Sequence, residues 1–223
     1  MTSIPSQFQA FHAGSVAVLN HTITFNRQKL LANLQRLPPR LRVAFAAACA
    51  ERQLPAYWSF LRESHAEEQN ALIRALDDVW VNPGKDDEMA LQQQLKECME
   101  LIPQEDAVNG CTGKASHAQE AGISVVYALR TRISGKAEEA AWSAQTAYEI
   151  LDNFVINQEE IDPNQPGSEN RVLSHPLVQA ELLRQQRDFD ELRNMGDANH
   201  QHVVMGIRDR AKADKLIFFG RGS

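Results

Sequence analysis

The chain has 223 residues, of which 43% are hydrophobic and 23% charged, and its formal net charge is −6 at neutral pH. This is an ordinary globular composition, long enough to bury a core without a disulfide or metal staple. The sequence contains no apolar run of about eighteen residues, which excludes a transmembrane helix. Its three unpatterned cysteines argue against a disulfide framework and a zinc finger. We therefore expect a cytoplasmic protein.

The beginning of the chain differs from the rest, because residues 1–26 contain no Asp, Glu, Lys or Arg. A secretory signal needs a positive start and an apolar stretch of about seven to fifteen residues. The longest apolar run here is residues 16–19, so we expect no such signal. We interpret residues 1–25 as an N-terminal arm, flexible or loosely docked, and residues 26–223 as one helical domain.

Two helices are predicted directly after the arm. Asn26 is placed to cap the first, which Pro38-Pro39 ends. The second of these prolines opens the next helix, which we expect to run to about Gln53, because Leu54-Pro55 interrupts the hydrogen-bond ladder. That helix is rich in alanine, which predicts close approach by a neighbouring helix, since bulky side chains there would cause packing strain.

Apolar residues continue at helical spacing through most of the remaining chain. The expected segments are residues 56–81 (one helix or a pair), 87–102, 115–134, 136–161, 174–193 and 202–212. Residues 162–168 read as a linker, and Ser174 is placed to cap the helix that follows it. Gln185 is polar on the apolar stripe of that helix, which predicts a hydrogen-bonded partner or the edge of the stripe. The apolar residues 216–219 predict a tail docked on the bundle.

These segments predict an all-α fold, a compact multi-helix bundle of about seven or eight helices. Charge is distributed unevenly along it. Residues 26–50 carry five basic residues and no acid, whereas residues 63–106 carry twelve acids against three basic residues. Such an acidic region repels phosphate backbones, which argues against nucleic acid as a partner and fits a basic protein instead.

Three segments carry a family resemblance: FAAACAERQLPAY at 45–57, HAQEAGISVVYALR at 117–130 and HPLVQAELLRQQRD at 175–188. In that order and spacing they resemble the bacterial family named domain of unknown function 416, over roughly residues 25–199. The resemblance implies a small, cytosolic, all-helical protein and supplies no activity, cofactor or catalytic residue. The family stretch Cys-x-Glu-Arg-x-x-Pro-x-Tyr corresponds to Cys49, Glu51, Arg52, Pro55 and Tyr57.

One candidate site lies within this stretch. Glu51 and Arg52 adjoin the alanine-rich stripe, and two interpretations are open. They form an oriented ion pair lining a pocket with Tyr57, or a structural pair that ties this helix to the next one. The structural pair is favoured, because buried pairs more often fix geometry than perform chemistry.

Other chemical candidates have weaker signals. His65 with Glu68 and His117 with Glu120 each place an imidazole and a carboxylate on one helical face. Di-metal bundles use the reverse order, Glu-x-x-His, together with further inward-facing acids, so we expect no metal and no cofactor. Cys111 lies in a glycine-bearing loop and is interpreted as an unactivated thiol.

A possible partner surface is formed by Arg184, Gln186 and Arg187 on the helix after the linker. Arg184 with Asp188, and Arg187 with Glu191, have the four-residue spacing of ion pairs on an exposed face. Such a face is solvated by default, and arginine and glutamine are adaptable anchors for a partner protein.

The leading hypothesis is a noncatalytic interaction or regulatory protein that self-associates or binds another protein. It rests on the absence of site motifs, the alanine-rich helices and the polarised charge. The first alternative is an immunity-type inhibitor of a basic toxin that uses acidic residues 63–106. The second is an enzymatic or metal-binding helical bundle.

Overall fold

A computed structural model describes residues 22–63, 71–81, 87–103, 113–195 and 200–214 of the chain. Over these residues the secondary structure is mostly helical and contains no strand, so the all-α prediction is confirmed. His65, Glu68, Cys111, the tail at 216–219 and nearly all of the N-terminal arm lie outside the described residues. The division into an arm and one domain stays a prediction.

The described residues form nine helices. Their bounds are α1 Arg27–Leu34, α2 Pro39–Glu63, α3 Ala71–Val81, α4 Glu88–Glu100, α5 Gly113–Ser134, α6 Ala137–Gln158, α7 Ser168–Leu173, α8 Pro176–Asn194 and α9 His200–Ala213. Helix α2 is central, because it packs against α3, α5, α6, α8 and α9. None of the described helices is both long and apolar enough to span a membrane.

The helix ends follow local chemistry at most positions. The Asn26 side chain accepts a hydrogen bond from the Lys29 amide at 2.9 Å and caps α1, as predicted. The expected cap of α8 is wrong by one residue. His175 Nδ1 accepts from the Leu177 amide at 3.2 Å, whereas Ser174 ends the short helix α7. Pro176 fixes this register, because proline favours the first helical position and the cap must precede it.

Helix α2 continues through Pro55 to Glu63, so the expected break at Leu54-Pro55 is wrong. A proline inside a helix costs about 3 kcal/mol, because it removes one hydrogen bond and crowds the preceding turn. Here the residues on both sides are buried: Leu54, Ala56 and Tyr57 are each at most 2% exposed. Burying these side chains among the neighbouring helices outweighs the local cost of the proline.

The alanines of α2 do mark a close helix approach. Ala46 is fully buried, and its carbonyl oxygen accepts a hydrogen bond from Ser143 Oγ of α6 at 3.0 Å. Ser143 Oγ also lies 3.1 Å from Ser124 Oγ of α5. Because a serine side chain is short, these contacts bring three backbones together, as the alanine pattern predicted.

Candidate functional site

A buried arginine network joins helix α2 to helix α8. Arg52 Nε and Nη2 donate to the two carboxylate oxygens of Glu181, each at 2.9 Å. Its Nη1 donates to Asp188 Oδ2 at 2.8 Å. All three side chains are at most 1% exposed. This two-pronged geometry matches the planar guanidinium to a carboxylate and fixes the position of α8 on α2.

The charges in this network control the protonation of its members. Burial alone would lower the pKa of Arg52, but the Glu181 and Asp188 carboxylates hold it above its ordinary value. Burial raises the pKa of Asp188, and Arg52 and Arg187 oppose that rise. Burial also raises the pKa of the Cys49 thiol, whose Sγ accepts from Arg52 at 3.7 Å. Cys49 is therefore a protonated packing residue and a poor nucleophile.

Gln185 completes the network from within α8. Its side-chain amide donates to the Ala144 carbonyl of α6 at 3.0 Å and to Glu181 Oε1 at 3.1 Å. Of the two predictions for Gln185, a hydrogen-bonded partner is therefore confirmed. The Gln185 amide thus links α8 to a third helix. It also supplies one of the hydrogen bonds that the Glu181 carboxylate needs because it is buried.

The structure places the sequence-predicted trio in the core. Glu51, Arg52 and Tyr57 are each at most 3% exposed, and the Tyr57 hydroxyl donates to the Leu101 carbonyl at 3.3 Å. The carboxylates that bind Arg52 come from α8, and the two cavities described below are lined by other residues. Whether the trio serves a pocket or is structural stays a prediction.

Sequence reasoning missed Glu181 and Asp188 as partners of Arg52. They lie four residues before and three residues after Gln185, so all three share one helical face. A polar residue on an apolar stripe, flanked at those spacings by acids, was the available signal. It indicates a buried network that needs a cation from elsewhere in the chain.

The predicted partner surface divides into two parts. Arg184 Nε lies 3.5 Å and Arg187 Nη2 3.0 Å from Asp214 Oδ2, beyond the end of α9. Neither acid has the expected partner four residues away. Asp188 binds Arg52 of α2 and its own neighbour Arg187, and Glu191 binds Arg210 of α9. Gln186 is exposed and lines a groove between α1 and α8 instead.

That groove has a volume of about 300 Å³. Its lining includes Lys29, Leu30, Leu182, Gln186, Phe189 and Arg193. The non-helical residues 23–26 line the same groove before α1 begins. Gln179 of α8 holds this segment at Ile23: the Gln179 side chain accepts from the Ile23 amide and donates to the Ile23 carbonyl, each at 2.9 Å.

The second imidazole–carboxylate pair lies on α5. Burial lowers the pKa of His117 to about 4 and raises the pKa of Glu120 to about 7. Asn153 of α6 donates to Glu120 Oε1 at 2.9 Å and opposes that rise, whereas the charge of Glu149 adds to it. No group of three or more His, Cys, Asp or Glu among the described residues is arranged to hold a metal ion.

This pair predicts a stability maximum in mildly acidic solution. Glu120 binds a proton more tightly in the folded state, so stability falls as the pH rises from about 4.5 through about 7. His117 binds a proton less tightly when folded, so stability falls as the pH drops from about 6.5 to about 4. Glu120→Gln should remove the loss of stability that accompanies rising pH. We expect this loss to be about 1–2 kcal/mol between pH 5 and 8, because the carboxyl is half-buried.

The measurement is the free energy of urea unfolding at several pH values. The exposed Glu138→Gln on α6 is the matched control, because it removes the same charge at the surface. A Glu120→Gln protein whose stability keeps the pH slope of the wild type would contradict this assignment.

The fold and the buried network together describe an all-helical protein organised around one central helix. A profile of the family described as "Protein of unknown function (DUF416)" matches residues 29–216, and the chain belongs to this family. The resemblance carried by the three sequence segments is thereby confirmed.

A solved structure has the same fold. The crystal structure of a DUF416 family protein from Shewanella baltica OS155 aligns with a TM-score of 0.70 at 17% sequence identity. The alignment covers 81% of this chain and 92% of that one. No curated protein matches the chain.

Proposed function

We propose that this protein is a noncatalytic binding module that takes an extended segment of another protein into the groove between α1 and α8. The observation that carries the proposal is the hydrogen-bonding of Gln179 to Ile23. One helix-borne amide there binds both the backbone N–H and the backbone C=O of a single non-helical residue. The molecule thus already contains one example of the recognition that we propose.

Gln186, further along the same helix, offers the same side-chain amide. It lies seven residues after Gln179, which is close to two helical turns, so the two side chains project from one face of α8. A glutamine amide offers one acceptor oxygen and two donor hydrogens, the complement of a backbone amide and carbonyl. Gln186 is exposed and lines the groove, where a second polypeptide can reach it.

The rest of the groove suits a peptide of mixed character. Leu30, Leu182 and Phe189 give it an apolar lining. Its charged residues are Lys29, Asp190 and Arg193, and because Arg193 binds Asp190 at 3.0 Å, Lys29 gives the lining a net positive charge. Main-chain hydrogen bonds supply affinity in such complexes, and side-chain pockets supply specificity. We therefore expect a bound segment with apolar residues and at least one acidic residue.

The protonation of the core groups supports a binding role over catalysis. Burial raises the pKa of the Cys98 thiol to about 11 and raises that of Cys49 as well, so both sulfurs stay protonated at neutral pH. Nucleophilic catalysis by cysteine needs the opposite shift. Burial also keeps His117 neutral.

The test is a selection of random linear peptides displayed on phage against the full chain, followed by titration of the selected peptides. We expect Gln186→Ala to weaken their binding at least fivefold, because the peptide backbone loses its amide partner. Gln92→Ala, an exposed glutamine on α4, is the matched control and should bind as the wild type does.

Two results would overturn the proposal. One is a selection that enriches no peptide, and the other is a set of peptides that bind Gln186→Ala as tightly as the wild type. Light scattering distinguishes a different partner from a second copy of this chain. If the groove mediates self-association, the wild type will be oligomeric and Gln186→Ala will shift toward monomer.

A further inference from the structure

A second cavity, of about 430 Å³, lies where the residues preceding α1 meet helices α6 and α7. We propose that this cavity binds an organic ammonium ion carried on an alkyl chain. The proposal is independent of peptide binding in the groove, although Thr24 and Phe25 line both cavities.

The charge of the lining selects a cation. Asp152 of α6 and Glu169 of α7 both line the cavity, and its lining contains no lysine, arginine or histidine. Burial raises the pKa of Asp152, the hydrogen bond from Tyr148 opposes this rise, and the nearby Glu169 charge adds to it. Two like charges in one partly enclosed space repel each other, and a cation between them would remove that repulsion.

The aromatic wall is fixed in place. Phe25 and Tyr148 stack with their ring centroids 4.9 Å apart and their planes 6° from parallel. The Tyr148 hydroxyl donates to Asp152 Oδ1 at 3.1 Å, which orients the carboxylate within the cavity. Aromatic rings attract ammonium groups through their π electrons, so this wall favours the same ligand as the carboxylates do.

The remaining walls suit the alkyl part of the ligand. They include Ile156 of α6 and Leu173 of α7, and the volume falls in the range of about 300–1,000 Å³ that small-molecule sites occupy. A bare metal ion would leave most of this space and its apolar walls unused, since metal ions are held by several close oxygen ligands. An ammonium on a chain of about five carbons uses both the charge and the apolar surface, each buried CH₂ adding about 0.8 kcal/mol.

An ammonium of this kind has two sources, a free amine or a lysine side chain of another protein. Isothermal titration of the full chain with 1,5-diaminopentane tests the first, and titration with Nα-acetyl-lysine methylamide tests the second. The neutral 1-pentanol controls for apolar binding. We expect at least one ammonium probe to bind and the alcohol to bind at least tenfold more weakly.

The variants test the carboxylates. Asp152→Asn and Glu169→Gln should each weaken binding of the ammonium probe at least fivefold, because each removes one negative charge from the lining. Glu138→Gln, at the exposed start of α6, removes an equal charge outside the cavity and should change the affinity less than twofold. Glu169 is exposed, so its variant keeps the test available if Asp152→Asn fails to fold.

Binding of the amine alone identifies a free ligand, and binding of the lysine derivative identifies a protein side chain as a source of the ammonium. The proposal is overturned if neither probe binds, if the alcohol binds as tightly as the amine, or if both cavity variants bind as the wild type does.

Discussion

Replacing Arg52 with methionine should destabilise the protein by about 3–5 kcal/mol. The variant leaves Glu181 and Asp188 in the core without the guanidinium that binds both of them. Methionine has a similar length and no charge, so lost packing contributes little to the effect. The measurement is the free energy of unfolding from urea denaturation at neutral pH, followed by circular dichroism.

The destabilised variant should also respond to pH in a defined direction. Burial already raises the pKa of Asp188 while Arg52 opposes the rise. Without Arg52, the folded state binds a proton at Asp188 more readily than the unfolded state does. The Arg52→Met protein should therefore gain stability as the pH falls from neutral toward about 5, relative to the wild type.

Two further proteins make this prediction falsifiable. Arg36→Met is the matched control at an exposed position and should change stability by at most about 0.5 kcal/mol. The triple variant Arg52→Met, Glu181→Gln, Asp188→Asn removes all three charges and should recover at least half of the lost stability. If the triple variant is no more stable than Arg52→Met, uncompensated charge is not the cause of the loss.

Replacing Ala46 with leucine should destabilise the protein by about 1–3 kcal/mol, because the larger side chain does not fit where three helices meet. Ala46 is fully buried, and its carbonyl is within hydrogen-bond distance of Ser143 on the facing helix. A leucine must push α2 away from its neighbours or adopt a strained rotamer. For a chain of this length we expect the melting temperature to fall by about 2–4 °C for each kcal/mol.

The control for this substitution is Ala32→Leu, an exposed alanine on α1. Alanine and leucine have similar helix propensities, so this variant should melt close to the wild type. Equal melting temperatures for Ala46→Leu and Ala32→Leu would contradict close packing at Ala46.

Much of the fold was predictable because the sequence patterns that indicate a helix involve residues close together in the chain. Apolar stripes, the Asn26 cap and the alanines of α2 each depend on residues within a few positions of one another. The break predicted at Pro55 was wrong because a proline destabilises a helix locally, whereas the side-chain burial that offsets this cost involves helices distant in sequence. The sequence of α2 alone contains no trace of that compensation.

The candidate site was less predictable, because its key pairing is not local. Arg52 could be recognised as a residue beside an apolar stripe, but Glu181 lies 129 residues further along the chain. The local rule instead paired Asp188 with Arg184, four residues away on the same helix. In the structure, Asp188 binds Arg52 and Arg184 binds Asp214. Only the packing of α8 on α2 favours the Arg52–Asp188 pair over the local Arg184–Asp188 pair.

The long separation between Arg52 and Glu181 has a consequence for the nascent protein. At a synthesis rate of roughly 5–20 residues per second, about 6–26 seconds pass between the incorporation of Arg52 and that of Glu181 into the chain. During that interval Arg52 of α2 is positively charged, but the carboxylates that bind it in the folded protein have not yet been synthesised. The buried ion pairs between α2 and α8 therefore form only after α8 has been synthesised, and a chain that ends within residues 162–167 would leave Arg52 without either carboxylate.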